Sequence, residues 1–385
     1  MKYVVKFYFI PSNEFFIPVS LILFASDNKM SIKNTKPKKY NYFIGIDVSK
    51  NKLDYAVMRG PELLFHQVTR NDPDEIRRLV GELKILPSFT LSKALFCMEN
   101  TGIYCNHLIR YLREAQANFA VENPLQIKAS IGLVREKHDK GDAILIARYA
   151  QKNHTGIRLW EERSAAIVEL MNLSTLRIRI VTMSLVMKTP LKEQQRFITK
   201  ELQSLSASLC KKSLDALKGD LRKVDTRIRQ VIKADKRLKR LFRIILSVPG
   251  IGSVTAVQII TITNEFKNIA DPRKFACYSG IVPFKRGSGT LSFKPRLSTF
   301  ANKRIKSLLH LCALNAIQHD AELKAYYERK TGTEKKNKLS VINAIRNKIV
   351  QRVFACVKQD RLFQKRLPVE HPAVVEDSAI PELIT

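Results

Sequence analysis

The pattern that most constrains this chain is a set of short apolar runs near its start. Tyr42–Val48, Leu53–Met58 and Leu63–Thr69 follow one another closely, and "RGPE" (Arg59–Glu62) supplies turn chemistry between the second and third. Runs of this length and composition predict three consecutive strands joined as a meander. The first, inside "FIGIDVSKNKLDYAVM", is a buried strand that ends in Asp47. A carboxylate at the tip of so apolar a strand is costly to desolvate unless it is paired or holds a cation. Asp47 therefore either sits at a solvent-facing strand end or belongs to a site.

The pattern then changes. "DPDEIRRLVGELKIL" (Asp72–Leu86) has helical spacing with acids in its first turn. Lys93–Glu99 is a further apolar strand ending in an acid, Thr101–Ala117 reads as a helix, and Phe119–Glu122 as a short strand. A further helical stretch runs from about Leu125 to Gln151. Three strands in a meander, then alternating helices and strands, is the order of an RNase H-like (RuvC-like) α/β domain, expected over residues 41–155. Residues 156–240 are helical in period and strongly basic. Lys211–Arg240 alone holds twelve basic and four acidic residues, which predicts a helical or coiled-coil connector suited to dimerisation or nucleic-acid contact. Residues 241–360 form a mostly helical C-terminal unit. The tail, 361–385, turns to Pro, Glu and small residues and is expected to be disordered. Residues 1–40 form an extension. Its apolar stretch "FFIPVSLILFA" is too short for a membrane span, and Met30 reads as an alternative start.

Charge narrows the partner. The 385 residues carry a formal net charge of +32, and so basic a chain has a polyanion as its partner, nucleic acid being the usual one. The six cysteines (Cys97, Cys105, Cys210, Cys277, Cys312, Cys356) form no CxxC pair. They read as reduced thiols of a cytoplasmic protein, which argues against a zinc site or a disulfide framework.

The acids come in an order. Asp47 ends the first strand and Glu99 the fourth, and these strands are neighbours in RNase H-like sheets. "KHDKGDAILIARYA" then places Asp139 and Asp142 three apart, on one face of a helix start. Taken alone, these two are ordinary helix N-terminal acids. Taken together, four converging acids repel one another and become useful when Mg²⁺ or Mn²⁺ sits between them, as in phosphoryl transfer. Asp54 reads as structural or solvent-facing. In "NTGIY", Thr101 is the expected helix cap and Gly102 permits close backbone approach.

In the C-terminal unit, "LSVPGIGSVTA" (Leu246–Ala256) has the pattern of a helix-hairpin-helix. Pro249 ends the first helix. Gly250 and Gly252 allow a tight turn whose outward N–H groups bind phosphate without reading sequence. An ordinary tight turn is the alternative. From Pro272 to His319 there is no acid, while nine residues are Lys or Arg. Lys285, Arg286, Arg296, Lys303 and Arg304 are the expected nucleic-acid contacts within it. Ser288 lies between two glycines just after Lys285 and Arg286. It is either an exposed nucleophile with cations to stabilise a phosphorane or part of a flexible turn.

Taken in order, "FIGIDVSKNKLD", "MENTGIY", "KHDKGDA", "SVPGIG", "YSGIVPFKRGSG" and the Lys303–Arg304 helix resemble the DEDD transposases of the IS-one-ten type of insertion sequence, related to the Piv-type DNA invertases. The resemblance covers Tyr42 to about Lys358. It implies that Asp47, Glu99, Asp139 and Asp142 bind metal. It implies that Ser288 attacks the scissile phosphate and forms a transient covalent link to DNA. It further implies a structured noncoding guide RNA, and a dimer or tetramer in which one subunit's acids meet another's serine. The segment before Met30 has no counterpart in the pattern. After "GSG" the chain looks shortened, leaving Ser292 and Ser298 as the competing hydroxyls. The alternatives are a RuvC-like nuclease using acids and water, and a non-catalytic nucleic-acid scaffold. No membrane role is expected.

Overall fold

The structure is a computed structural model that describes residues 39–131, 139–288, 291–298 and 301–365. Most of the expected extension over 1–40 and of the expected tail over 361–385 lies outside the described residues.

The N-terminal unit is built on a five-stranded sheet: β1 (Tyr42–Val48), β2 (Lys52–Arg59), β3 (Glu62–Arg70), β4 (Ala94–Glu99) and β5 (Asn118–Glu122). Their spatial order is β3-β2-β1-β4-β5. The meander β1–β2–β3 is antiparallel, whereas β1–β4 and β4–β5 are parallel. That order and polarity is the RNase H-like arrangement anticipated from the run of short strands. It explains why β1 is apolar throughout: both its faces are covered. Tyr42, Ile44, Ile46 and Val48 face one layer, formed by α1 (Pro73–Leu83) and α2 (Asn106–Glu114). Phe43 faces the other, where α4 (Asp139–Asn153) lies on the sheet through Ala143, Ile146 and Ala147.

Local chemistry sets the helix ends. Asp72 caps α1 by accepting the N–H of Asp74, Pro73 occupies the first turn, and Asp74 and Glu75 complement the dipole. Thr101 does not cap as expected. Its hydroxyl lies 3.2 Å from the Cys105 thiol. The neighbouring Asn100 instead accepts the N–H of Gly102 at 3.1 Å. Gly102 has φ +75°, a conformation that favours glycine. The predicted helix Thr101–Ala117 accordingly begins as a 3₁₀ turn and becomes α-helical only at Asn106. The helical stretch expected from about Leu125 to Gln151 holds α3 (Pro124–Ile131) and α4.

Two long helices follow, α5 (Ala165–Glu193) and α6 (Lys200–Ala234), about 44 and 52 Å long at the ordinary helical rise. They form a hairpin clasped by Arg177–Asp225 at 2.7 Å and Arg227–Glu169 at 2.6 Å. The open end of this hairpin joins the C-terminal core: Ile167, Leu170, Val224, Ile228 and Val231 pack with residues of α7 (Lys236–Leu246), α8 (Ser253–Thr263), α9 (Pro272–Tyr278), α10 (Lys303–His319), α11 (Ala321–Glu328) and α12 (Lys338–Lys358). Between α9 and α10 stands a hairpin the sequence did not announce, β6 (Pro283–Ser288) paired with β7 (Leu291–Leu297).

Candidate active site and nucleic-acid interface

The acids gather because of strand register. Asp47 and Asp54 are direct cross-strand partners on β1 and β2. Ile46 pairs with Met98, which sets Glu99 beside Asp47 on the adjoining strand. Glu99 in turn pairs with Glu122 on β5. Side chains alternate along a strand, so Asp54, Asp47, Glu99 and Glu122 lie in one row on the α4 side of the sheet. The sequence reading singled out Asp47 and Glu99 and missed Glu122, although "NFAVE" shows the same signal, an apolar strand ending in an acid.

Helix α4 brings the remaining acids to this row. It crosses β1 at Gly45, two residues before Asp47 on the same face. A Cβ at Gly45 would stand 2.2 Å from both the Ala143 carbonyl oxygen and the Ala147 amide nitrogen. Only glycine permits that approach. It seats the first turn of α4, with Asp139 and Asp142, above Asp47.

The electrostatics report the crowding. Burial, followed by the charges of Asp142, Asp139 and Asp54, pushes the Asp47 carboxyl up to about 6. Glu99 is raised by burial and then by Asp47 and Asp142, with Lys128 opposing. Asp47 and Glu99 thus both feel the charge of Asp142, and such crowding is what a divalent cation relieves. Glu122 is pushed up to about 7 by burial, against hydrogen bonds from the Asn123 amide and the Tyr149 hydroxyl.

Lys52 partly balances the cluster. Its ammonium lies 3.3 Å from Asp54 and also bonds Asp139. Of the two readings of Asp54, structural or solvent-facing, the structure favours the first. Only 3% of it is exposed, and it is held by Lys52 and by His66 at 3.2 Å. Its place opposite Asp47 makes it a structural neighbour of the site. The donor set of Asp47, Glu99 and Asp142 is all oxygen and suits a hard cation. Among the described residues, no three such groups close tightly enough to enclose a metal by themselves. Asp139 would exchange its Lys52 partner to join them.

The expected nucleic-acid contacts divide. Gly250 has φ +89°, and a Cβ there would meet the Cys312 carbonyl at 2.4 Å, so this glycine lets the α7–α8 turn pack on α10. Gly252 is exposed and precedes α8 with no side-chain cap. Ser288 is the last residue of β6, paired with Leu291 at the start of β7. Lys285 and Arg286 belong to the same strand, and Arg296 is exposed on β7. Lys303 and Arg304 open α10, which Asn302 caps by accepting the Arg304 and Ile305 amides. Burial and the charge of Arg177 push Arg304 down to about 10. Cys97, Cys105, Cys312 and Cys356 are buried free thiols.

Comparison with known proteins identifies the family. Residues 44–196 match a transposase family of the DEDD, IS110 type, and residues 242–328 match the "Transposase IS116/IS110/IS902 family". The "Pilin gene-inverting protein" of Moraxella lacunata is 25% identical over 337 residues, covering 84% of this chain and 98% of the relative. A "Probable family 20 transposase" of Pseudomonas aeruginosa is 24% identical, covering 69% of this chain and 81% of the relative. A solved structure, "T. thermophilus RuvC in complex with Holliday junction substrate", is 14% identical and covers 31% of this chain and all of its own, with a TM-score of 0.24. At that score the fold assignment stands on the strand order itself. The ordered acids, the RNase H-like sheet and the two family matches lead to one conclusion: the chain belongs to the IS110 family of transposases.

Proposed function

We propose that this transposase cuts and rejoins DNA strands of an insertion sequence with a metal-binding acidic tetrad, Asp47, Glu99, Asp139 and Asp142, and a serine nucleophile, Ser288. The observation that carries the reading is the placement of Asp47 and Glu99 side by side on one face of the sheet, under the helix start whose Asp142 charge raises both. Mg²⁺ or Mn²⁺ bound by these carboxylates supplies Lewis-acid stabilisation of a charged phosphoryl transition state. The chain's own contribution is to hold the four acids on rigid elements, two on strand ends and two on one helix turn.

Ser288 sits at a hairpin end within a segment that has no acid from Pro272 to His319. In the proposed step the Ser288 Oγ loses its proton and replaces a sugar oxygen on the scissile phosphorus, and the displaced sugar oxygen takes up a proton in its place, so the exchange is proton-neutral. A hydroxyl of another strand then reverses the exchange. One phosphate ester replaces another at each stage, so rejoining needs no external energy source. Lys285 and Arg286 precede the serine on its own strand, and cations so placed would stabilise the developing charge.

The family resemblance implies a structured noncoding guide RNA as a second partner, and a net charge of +32 suits a further polyanion. Self-association is supported by the far end of the α5–α6 hairpin, where Met183, Val186, Phe197, Leu205 and Leu209 are exposed large hydrophobics. Ala165–Arg196 is long and apolar enough to cross a membrane by length and composition. We read it instead as one arm of an oligomerising hairpin in a cytoplasmic protein, because it carries Arg177 paired to α6.

The test uses DNA carrying the element's ends, with Mg²⁺. Wild type should form a protein–DNA adduct resistant to denaturant. Ser288→Ala should form none and join no strands, and Asp47→Asn should do neither. Undiminished cutting by Ser288→Ala would transfer the reading to a RuvC-like nuclease. Full activity in Asp47→Asn would leave only a nucleic-acid scaffold. RNA copurifying with the protein would support the guide.

A further inference from the structure

Helix α12 carries two arginines with opposite surroundings, Arg346 buried and Arg352 partly buried. Arg352 is neutralised, by Asp320 at 3.0 Å and Glu322 at 2.7 Å. Arg346, 9% exposed, has no carboxylate partner among the described residues, and its buried Nε has no hydrogen-bond partner there. Its guanidinium reaches only neutral groups: His310 Nδ1 at 2.5 Å and the Asn343 side-chain oxygen at 3.4 Å. Lys306, one turn before His310 on α10, senses the Arg346 charge, and burial together with that charge lowers both Lys306 and His310.

A buried cation without a counter-ion is expensive, and adding a second cation beside it is more so. Among the described residues, the helices that carry the cluster offer no relief. Neither α10 nor α12 contains an acid, and none occurs in α7, α8 or α9. His310 accepts from Arg346 through Nδ1, which leaves its proton on Nε2 and makes the ring a donor elsewhere. Three side chains thus present donors, and none presents a negative charge.

The cluster also has a defined place. Asn343 donates to the Ile281 carbonyl at 2.6 Å. Gly280, at φ +63°, lies so close to Ala301 that a Cβ would come within 2.4 Å of the alanine methyl, and within 3.8 Å of the Lys306 side chain. Gly280 and Ile281 lead directly into β6. The cations therefore stand at the foot of the hairpin that ends in Ser288.

We infer that Arg346, Lys306 and His310 form a binding site for one phosphodiester group of a nucleic-acid strand, holding it at the foot of the β6–β7 hairpin. An anion there supplies the missing charge and takes bidentate bonds from the arginine fork. The inference deepens the proposed function, since it rests on that reading for why a strand should be gripped at the base of the hairpin that carries Ser288, but binding itself does not depend on Ser288 chemistry.

The experiment measures fluorescence anisotropy of the full chain with two probes across a salt series: a fluorescein-labelled 30-base-pair DNA duplex and a labelled 30-nucleotide RNA. Arg346→Gln should weaken binding of at least one probe by roughly 10- to 100-fold. It should also lower the slope of log K against log salt by about one. Lys306→Gln, at a half-exposed position where misfolding is not at issue, should lower the slope in the same way. Which probe is affected identifies the strand as DNA or RNA. Arg346→Met should melt higher than wild type without ligand, because it removes an uncompensated buried charge. An adduct that persists in Ser288→Ala, with Arg346→Gln and Lys306→Gln weakened as expected, would strike the serine reading alone. Unchanged affinity and slope in both Arg346→Gln and Lys306→Gln, or a lower melting temperature for Arg346→Met, would overturn the site.

Discussion

Replacing Gly45 by alanine adds one methyl group to the strand that carries Asp47. Its position is set by the backbone, 2.2 Å from the Ala143 carbonyl oxygen and from the Ala147 amide, where ordinary contact begins at 3.4 Å. The shortfall is 1.2 Å, the difference between those two distances. Both obstructing atoms are backbone, so no rotamer change relieves them. Helix α4 must move off the sheet, and Asp142 and Asp139 move with it. Overpacking of this kind costs about 3 kcal/mol, which for a unit of this size is a fall in Tm of roughly 6–12 °C. A displacement of about 1 Å in catalytic groups costs on the order of 100-fold in rate. Calorimetry and DNA cleavage with Mg²⁺ measure the two effects. Gly81→Ala in α1 and Gly141→Ala in α4 are the controls, since a Cβ at either meets nothing within 4 Å. Both should hold or raise Tm, because alanine is the better helix former by about 1 kcal/mol. A Gly45→Ala protein with wild-type Tm and cleavage would refute the claim that close approach of α4 builds the site.

The acidic row also makes stability depend on pH. Asp47, at about 6, and Glu122, at about 7, are both easier to protonate folded than unfolded. Their stabilising protonated forms are fully present below about pH 4 and lost as pH rises through 6 to 7. In EDTA, Asp47→Asn should therefore melt above wild type at pH 8 and equal it at pH 4. A gain that persists at pH 4 would contradict this. Mg²⁺ should raise the wild-type Tm at pH 8 and raise that of Asp47→Asn less. At the far end of the α5–α6 hairpin, Leu205→Ser with Leu209→Ser should convert an oligomer to a smaller species by light scattering without lowering Tm, since both leucines are exposed in the single chain.

Much of the candidate site was legible because strand signals are local. The apolar run of β1 and its terminal acid read directly, and so did the order of strands that makes the sheet RNase H-like. Spacing alone put Asp139 and Asp142 on one helix turn. Glu122 carried the same local signal as Asp47 and Glu99. What concealed it was register: only the pairing of β4 with β5 reveals that it extends the row. Asp54 shows the same limit from the other side, because its burial follows from pairing with Lys52 and His66, and strand alternation cannot tell an inward acid with partners from an outward one.

By itself, then, the sequence determined which elements form on the N-terminal side, which acids end them, and that the partner is a polyanion, because periodicity, turn chemistry and net charge are properties of neighbouring residues or of simple sums. Tertiary structure alone decided that Gly45 serves as the seat of α4 and that Gly250 serves packing on α10. It also decided that Arg352 is neutralised while Arg346, six residues earlier on the same helix, is not. Those outcomes depend on which distant atoms arrive at a given point in space, and a steric or electrostatic contact between residues far apart in the chain leaves no periodic trace in it.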